Sequence, residues 1–155
     1  MARAAGTTAA RAFGFWQSLG LATGTRDDAG PIDFASLERR ATPNDSLICP
    51  KGFCPRARAD LEAPAFAISP DRLRETLRHI VLSEARTREL DAARDGLRFV
   101  QRSFLLRYPD VIDVVIAPRG NGGSTLALYS RSLVGRRDFN VNRRRLERWL
   151  AALAT

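Results

Sequence analysis

Residues 124–142 read STLALYSRSLVGRRDFNVN, a strand, a basic turn and the start of a last helix. Side chains alternate along a strand, so Leu126, Leu128, Ser130 and Ser132 share one side and Arg131 faces the other. That side passes from apolar to polar at the strand end. Gly135, Arg136, Arg137 and Asp138 supply the turn. Asn142 suits the N-cap of the helix, and Val141 before it is placed to pack on Leu146 as a hydrophobic staple. Leu146, Trp149, Leu150 and Leu153 then form a buried stripe, with Arg143, Arg144, Arg145 and Arg148 covering the remainder. Arginines in a first helical turn oppose the helix dipole, which points to other partners for them, acidic side chains or a bound anion.

Working upstream, Leu97–Leu106 (LRFVQRSFLL) and Val111–Ala117 (VIDVVIA) read as strands separated by Tyr108-Pro109-Asp110. Residues 118–123 (PRGNGG) read as a hairpin loop rich in residues that tolerate positive φ. Three successive strands with short connections favour an antiparallel meander. Arg86–Asp91 reads as a further strand, followed by a turn at Arg94-Asp95-Gly96. Ser69-Pro70-Asp71 is a helix start, with Ser as N-cap and Pro at the first helical position. Leu73, Leu77, Ile80 and Val81 follow at helical spacing, and Ala65–Ser69 before them reads as a short strand. The class expected is α+β: an antiparallel meander sheet with helices on one face, in two layers.

Residues 42–64 (TPNDSLICPKGFCPRARADLEAP) carry prolines at 43, 50, 55 and 64 and read as a long ordered loop burying Leu47, Ile48, Phe53 and Leu61. Asp33 or Ser36 caps a short turn ahead of it. Residues 1–24 read as a flexible or docking N-terminal segment, and residues 31–153 as a single α+β domain. In that first segment Phe13, Trp16 and Leu19 form one apolar side suited to a protein partner or to a membrane surface.

The chain has 155 residues, a formal net charge of +8 and a pI near 11.0, and Lys51 is its only lysine. An anionic partner is one reading of that charge, a small molecule or an acidic membrane surface. Simple solvation of arginines in an Ala- and Arg-rich composition is the other. Nucleic acid is not expected, because neither a recognition motif nor an aromatic stacking platform is present. No apolar run is long enough to span a bilayer. The location expected by default is cytoplasmic.

Cys49 and Cys54 enclose four residues in CPKGFC. A disulfide, a pair of thiols, and metal or redox chemistry are the three readings, the first implying an oxidising compartment. A zinc site would need a fourth ligand beyond these two and the single histidine, His79. That histidine sits off the apolar stripe of its helix and reads as a surface or structural residue. No cofactor signature is present.

The residues that carry chemistry converge on the opening stretch. Ser130, Arg131, Ser132, Asp138, Asn142 and Arg143, with Arg102, Asp110 and Asp113 on the preceding strands, are the candidate ligand-binding residues. Hydroxyls, guanidinium groups and free helix N–H groups in one place make an anion site. The plainer alternative is an internal network in which the three aspartates pair with arginines and pin the turn to the sheet. No nucleophile elbow, Ser–His–acid arrangement or phosphate loop is present, and Asp110 with Asp113 is the one conceivable carboxylate pair. Three function classes stand: a non-enzymatic anion-binding or accessory domain, a small enzyme using Ser130 or Ser132 with Asp113 or Asp138, and a scaffold docking through Phe13–Leu21.

Residues 130–149 (SRSLVGRRDFNVNRRRLERW) resemble the closing signature of the bacterial and plastid domain of unknown function 1499 family. The matching positions are Ser130, Arg131, Ser132, Gly135, Asp138, Val141, Asn142 and Arg143, with Asn140 where that pattern has glycine. Residues 99–116 resemble that family's strand pair, with Arg102, Asp110 and Asp113 at the matching places, and residues 42–55 resemble its opening segment. The resemblance implies a small α+β domain, often membrane-anchored or exported, which would make the location periplasmic or membrane-associated. It implies no reaction.

Overall fold

The computed structural model describes residues 30–91 and 96–155. The expected N-terminal docking segment and the turn at Arg94-Asp95 lie outside the described residues. The elements are β1 (Asp45–Cys49), β2 (Leu61–Glu62), α1 (Pro70–Ser83), β3 (Thr87–Leu90), β4 (Leu97–Arg102), β5 (Pro109–Pro118), β6 (Ser124–Ser132) and α2 (Val141–Leu153). They build one six-stranded sheet in the order β2-β1-β6-β5-β4-β3. All pairings are antiparallel except β1 with β2. The α+β meander is therefore as expected, from β3 through β6.

Both helices lie on one face. Leu73, Leu77 and Val81 of α1 and Leu146 and Trp149 of α2 pack on Ile48, Phe99, Ile112, Val114, Leu126 and Leu128. Helix α1 starts as its sequence dictates: the Ser69 side chain accepts from Arg72 N, and Pro70 opens the first turn. The other face is covered by chain without regular structure. Phe34, Leu37 and Cys54 pack there on Leu47, Ala127 and Tyr129, and Cys49 is disulfide-bonded to Cys54. His79 is exposed on α1.

Four expectations need correction. Residues 42–64 are not all loop: Asp45–Cys49 is an inner strand, bonded to β6 on one side and β2 on the other. Pro43 and Pro50 flank that strand without entering its ladder. Ala65–Ser69 contributes only an isolated bridge, Phe66 to Ser124. Strand β4 ends at Arg102, and Phe104–Leu106 form an exposed hairpin tip instead of its continuation. Finally, α2 is not capped by Asn142. Asn140, in the left-handed region at φ 63°, stands at the N-cap without a side-chain bond, and Val141 is 41% exposed, so no staple forms.

Candidate functional site

Alternation along β5 and β6 sends their polar residues to opposite faces of the sheet. On the helix face, Asp110 is paired with Ser132, and Ile112 with Ser130, in the register of the two strands. Helix α2 crosses above them and lowers Asn142 and Arg145 into this corner, where they are 0% and 3% exposed. Arg145 uses its whole fork. Its Nε donates to Gln101 Oε1 at 2.6 Å, its Nη1 to Ser130 Oγ at 2.9 Å and Asn142 Oδ1 at 2.7 Å, and its Nη2 to Asp110 Oδ2 at 2.7 Å.

The hydroxyls complete the circuit. Ser130 Oγ donates to Asn142 Oδ1, and Ser132 Oγ donates to Asp110 Oδ1 at 2.5 Å. Asn142 Nδ2 is placed to donate to Asn44 O, Ser132 Oγ and Asp138 Oδ2. Asp138 also accepts from the backbone N–H groups of Asn140 and Asn142, so it performs the capping that a side chain at the N-cap usually does. The chain of bonds runs on from Gln101 Nε2 to Glu84, which also accepts from Trp149 Nε1 and Arg148. Burial works to raise the Glu84 pKa, and these donors outweigh it and hold it below its ordinary value.

The opposite face carries a separate cluster. Asp113 accepts from Arg98 Nε at 2.8 Å and Arg131 Nη1 at 2.9 Å, all three residues less than 5% exposed. Arg131 Nη2 also donates to Gly30 O, and Arg98 Nη1 to Asp91 O, so the pair of guanidiniums ties the irregular segments to the sheet. Burial pushes the Asp113 carboxyl up in spite of the two guanidiniums. Beside this group Tyr129 Oη donates to Asp45 at 2.6 Å, and burial together with that bond raises the phenol pKa. Arg39 bridges Asp45 and Asp60, and Asp60 in turn accepts from Ser46 and Leu47 N.

The nine candidate residues are thus divided. Asp110, Ser130, Ser132, Asp138 and Asn142 meet on the helix face. Asp113 and Arg131 meet on the other, so Asp110 and Asp113, three apart on one strand, are not a carboxylate pair. Arg102 lies at the β4–β5 hairpin, where its Nη1 donates to Arg107 O. Arg143 is exposed and pairs with Glu147 one turn along. Arg145, which its polarity alone assigns to the helix surface, is the centre of the helix-face cluster. Counting back from Trp149 by four and then by three places Arg145 and Asn142 on the buried stripe, so the sequence does carry the signal. Among the described residues no buried side-chain nitrogen or oxygen lacks a partner.

The family model for "Protein of unknown function (DUF1499)" matches residues 26–153. The chain belongs to the DUF1499 family. No curated protein matches it. Four of the eight positions that resemble the family's closing signature fasten α2 to the sheet: Ser130, Ser132, Asp138 and Asn142 bond to one another or through Asp110. Two clefts, of about 380 and 360 Å³, lie at the other end of the sheet beside the disulfide loop, and neither is lined by a residue of the helix-face cluster. Among the described residues no helix is long and apolar enough to cross a membrane.

Proposed function

We propose that this DUF1499 chain is a non-enzymatic binding or accessory domain, which engages an anionic partner through arginines outside the strand-to-helix join. The observation that carries the reading is a division of labour within one stretch. Ser130, Ser132, Asn142 and Arg145 are buried and mutually satisfied, whereas Arg136, Arg137 and Arg144, on the outside of the same join, are exposed and form no ion pair among the described residues. A reacting hydroxyl must be reachable by its substrate. Ser130 is 0% and Ser132 6% exposed, with both hydroxyl protons committed to internal acceptors. The inner cluster acts as the brace, and the outer arginines as the contact. The Cys49–Cys54 disulfide supports placing the domain in an oxidising compartment.

Thermal unfolding in the presence of inorganic phosphate, citrate and heparin tests this. A ligand that binds only the folded state at about 100 times its Kd adds about 2.7 kcal/mol of stability, a readily measured shift. The expected result is stabilisation of the parent by at least one of the three, diminished in Arg136→Ala/Arg137→Ala. No shift with any of the three overturns the proposal.

A further inference from the structure

The exposed large apolar side chains are not scattered. Among the described residues they are Leu82, Phe104, Leu105, Leu106, Tyr108, Phe139 and Val141, and the topology brings all seven to one end of the sheet. That end holds the α1–β3 turn, the β4–β5 hairpin tip, and the β6–α2 join. The three connections are fastened together. Arg102 N donates to Arg86 O, and Leu133 N donates to Pro109 O, while the hairpin is closed by Ser103 N to Tyr108 O. Phe104 and Leu105 stand 78% and 82% exposed at the tip, and Phe139 82% exposed on the neighbouring join. Phe139 holds φ 53° and Asn140 φ 63°. A bulky residue in the left-handed region is strained, and Phe139 gains no burial in return.

Basic residues predominate around these side chains, and the one acidic residue of the α1–β3 turn, Glu84, is paired with Arg148. Arg107 sits at the hairpin tip, Arg136 and Arg137 on the join, and Arg86 lies 5.3 Å from the Phe104 ring centroid. Neither 103–108 nor 133–137 contains an acidic residue, and Asp138 is consumed by the backbone it caps.

Resting on the anionic-partner reading above, we infer that this rim docks on an anionic lipid surface, the Phe104-Leu105-Leu106 tip and Phe139 entering the headgroup–acyl boundary and the arginines meeting lipid phosphates. The shape favours a bilayer over a small anion or a peptide. The apolar groups are carried on projecting tips, not in a groove, and aromatic and apolar side chains flanked by arginine are the composition of an interfacial contact. An acidic surface contributes roughly fivefold in partitioning for each basic residue near it.

The test uses the full chain and sedimentation with phosphatidylcholine vesicles, with and without phosphatidylglycerol. Binding to the anionic vesicles is expected, weakening as salt rises. Phe104→Ser/Leu105→Ser and Phe139→Ser should each weaken it at least about tenfold, and Arg136→Ala/Arg137→Ala by roughly twenty-five-fold. All three variants replace exposed side chains, and retention of the parent melting temperature or better checks that each folds. The lipid proposal falls if the full chain ignores anionic vesicles, or if the serine variants bind them as the parent does. In either case a surviving heparin or phosphate shift leaves the anionic-partner reading standing and only the lipid assignment lost. If sedimentation velocity shows self-association that the serine variants abolish while vesicle binding is absent, the rim is a contact between copies of the chain and the lipid proposal is overturned.

Discussion

The two faces of the sheet solve one problem in different ways. Each must bury charged groups at the level of β5 and β6, and each uses an aspartate of β5. On the helix face Asp110 meets one guanidinium, Arg145, whose remaining donors go to neutral oxygens of Ser130, Asn142 and Gln101. On the other face Asp113 meets two, Arg98 and Arg131, each of which also donates to a backbone carbonyl of a segment without regular structure. The first arrangement is singular: one arginine supplies the only guanidinium and bonds Asp110, Ser130, Asn142 and Gln101 at once. The second is redundant: either arginine alone can neutralise the aspartate. A helix is fastened by the singular cluster, and an irregular covering by the redundant one.

The largest effect should follow from removing the singular arginine. Arg145→Ala leaves the Asp110 carboxylate buried without a counter-charge and Gln101, Ser130 and Asn142 short of a donor. A buried pair broken from one side costs about 3–5 kcal/mol. The urea midpoint should fall accordingly, and amide exchange in α2 should rise to the global rate. Arg145→Lys should recover only part, because a point charge cannot serve four acceptors in a fixed fork.

Arg131→Ala is the matching change on the other face, and its cost should be smaller, about 1.5–3 kcal/mol for the lost charged hydrogen bonds, because Arg98 stays on Asp113. Exchange protection should drop around residues 30–37 and hold in α2. If Arg131→Ala proves as damaging as Arg145→Ala, the two aspartate sites are equivalent and redundancy is not what separates them.

How far this contrast is legible in the sequence depends on the residue. Strand β6 and the start of α1 declare themselves, because alternation and a Ser-Pro-Asp start are local signals. The separation of Asp110 from Asp113 follows from strand parity alone once β5 is placed. Strand β1 escapes a reading by pattern because its last four residues are all buried and show no alternation, and Pro43 and Pro50 at its borders mimic a loop. Arg145 escapes it because arginine on a helix is ordinarily solvated. Spacing, not polarity, separates it from its neighbours: Arg145 precedes Trp149 by one helical turn and lies within the buried stripe, while Arg144 and Arg148 stand exposed beside it.

The smallest effect should come from the carboxylates at the margins of the two clusters, Glu84 on the helix face and Asp60 beside β1. For each, burial works to raise the pKa and is outweighed: by Gln101, Arg148 and Trp149 at Glu84, and by Arg39, Leu47 N and Ser46 at Asp60. Both therefore titrate below their ordinary values of 4.5 and 3.8. A carboxylate with a depressed folded-state pKa contributes stability that is complete above its ordinary value and is lost as pH falls through the depressed one. Glu84→Gln and Asp60→Asn should each cost about 1 kcal/mol at neutral pH, the scale of partly exposed ion pairs. The difference from the parent should shrink in acid, where the parent has lost the same charge. Urea midpoints measured at neutral pH and again near the acid transition check both. Because the two groups sit on different elements and share no partner, their costs should add in the double variant. A double variant that costs clearly more than the sum would mean that the two faces are coupled through the strands between them, and the contrast between a singular and a redundant cluster would then describe one network, not two.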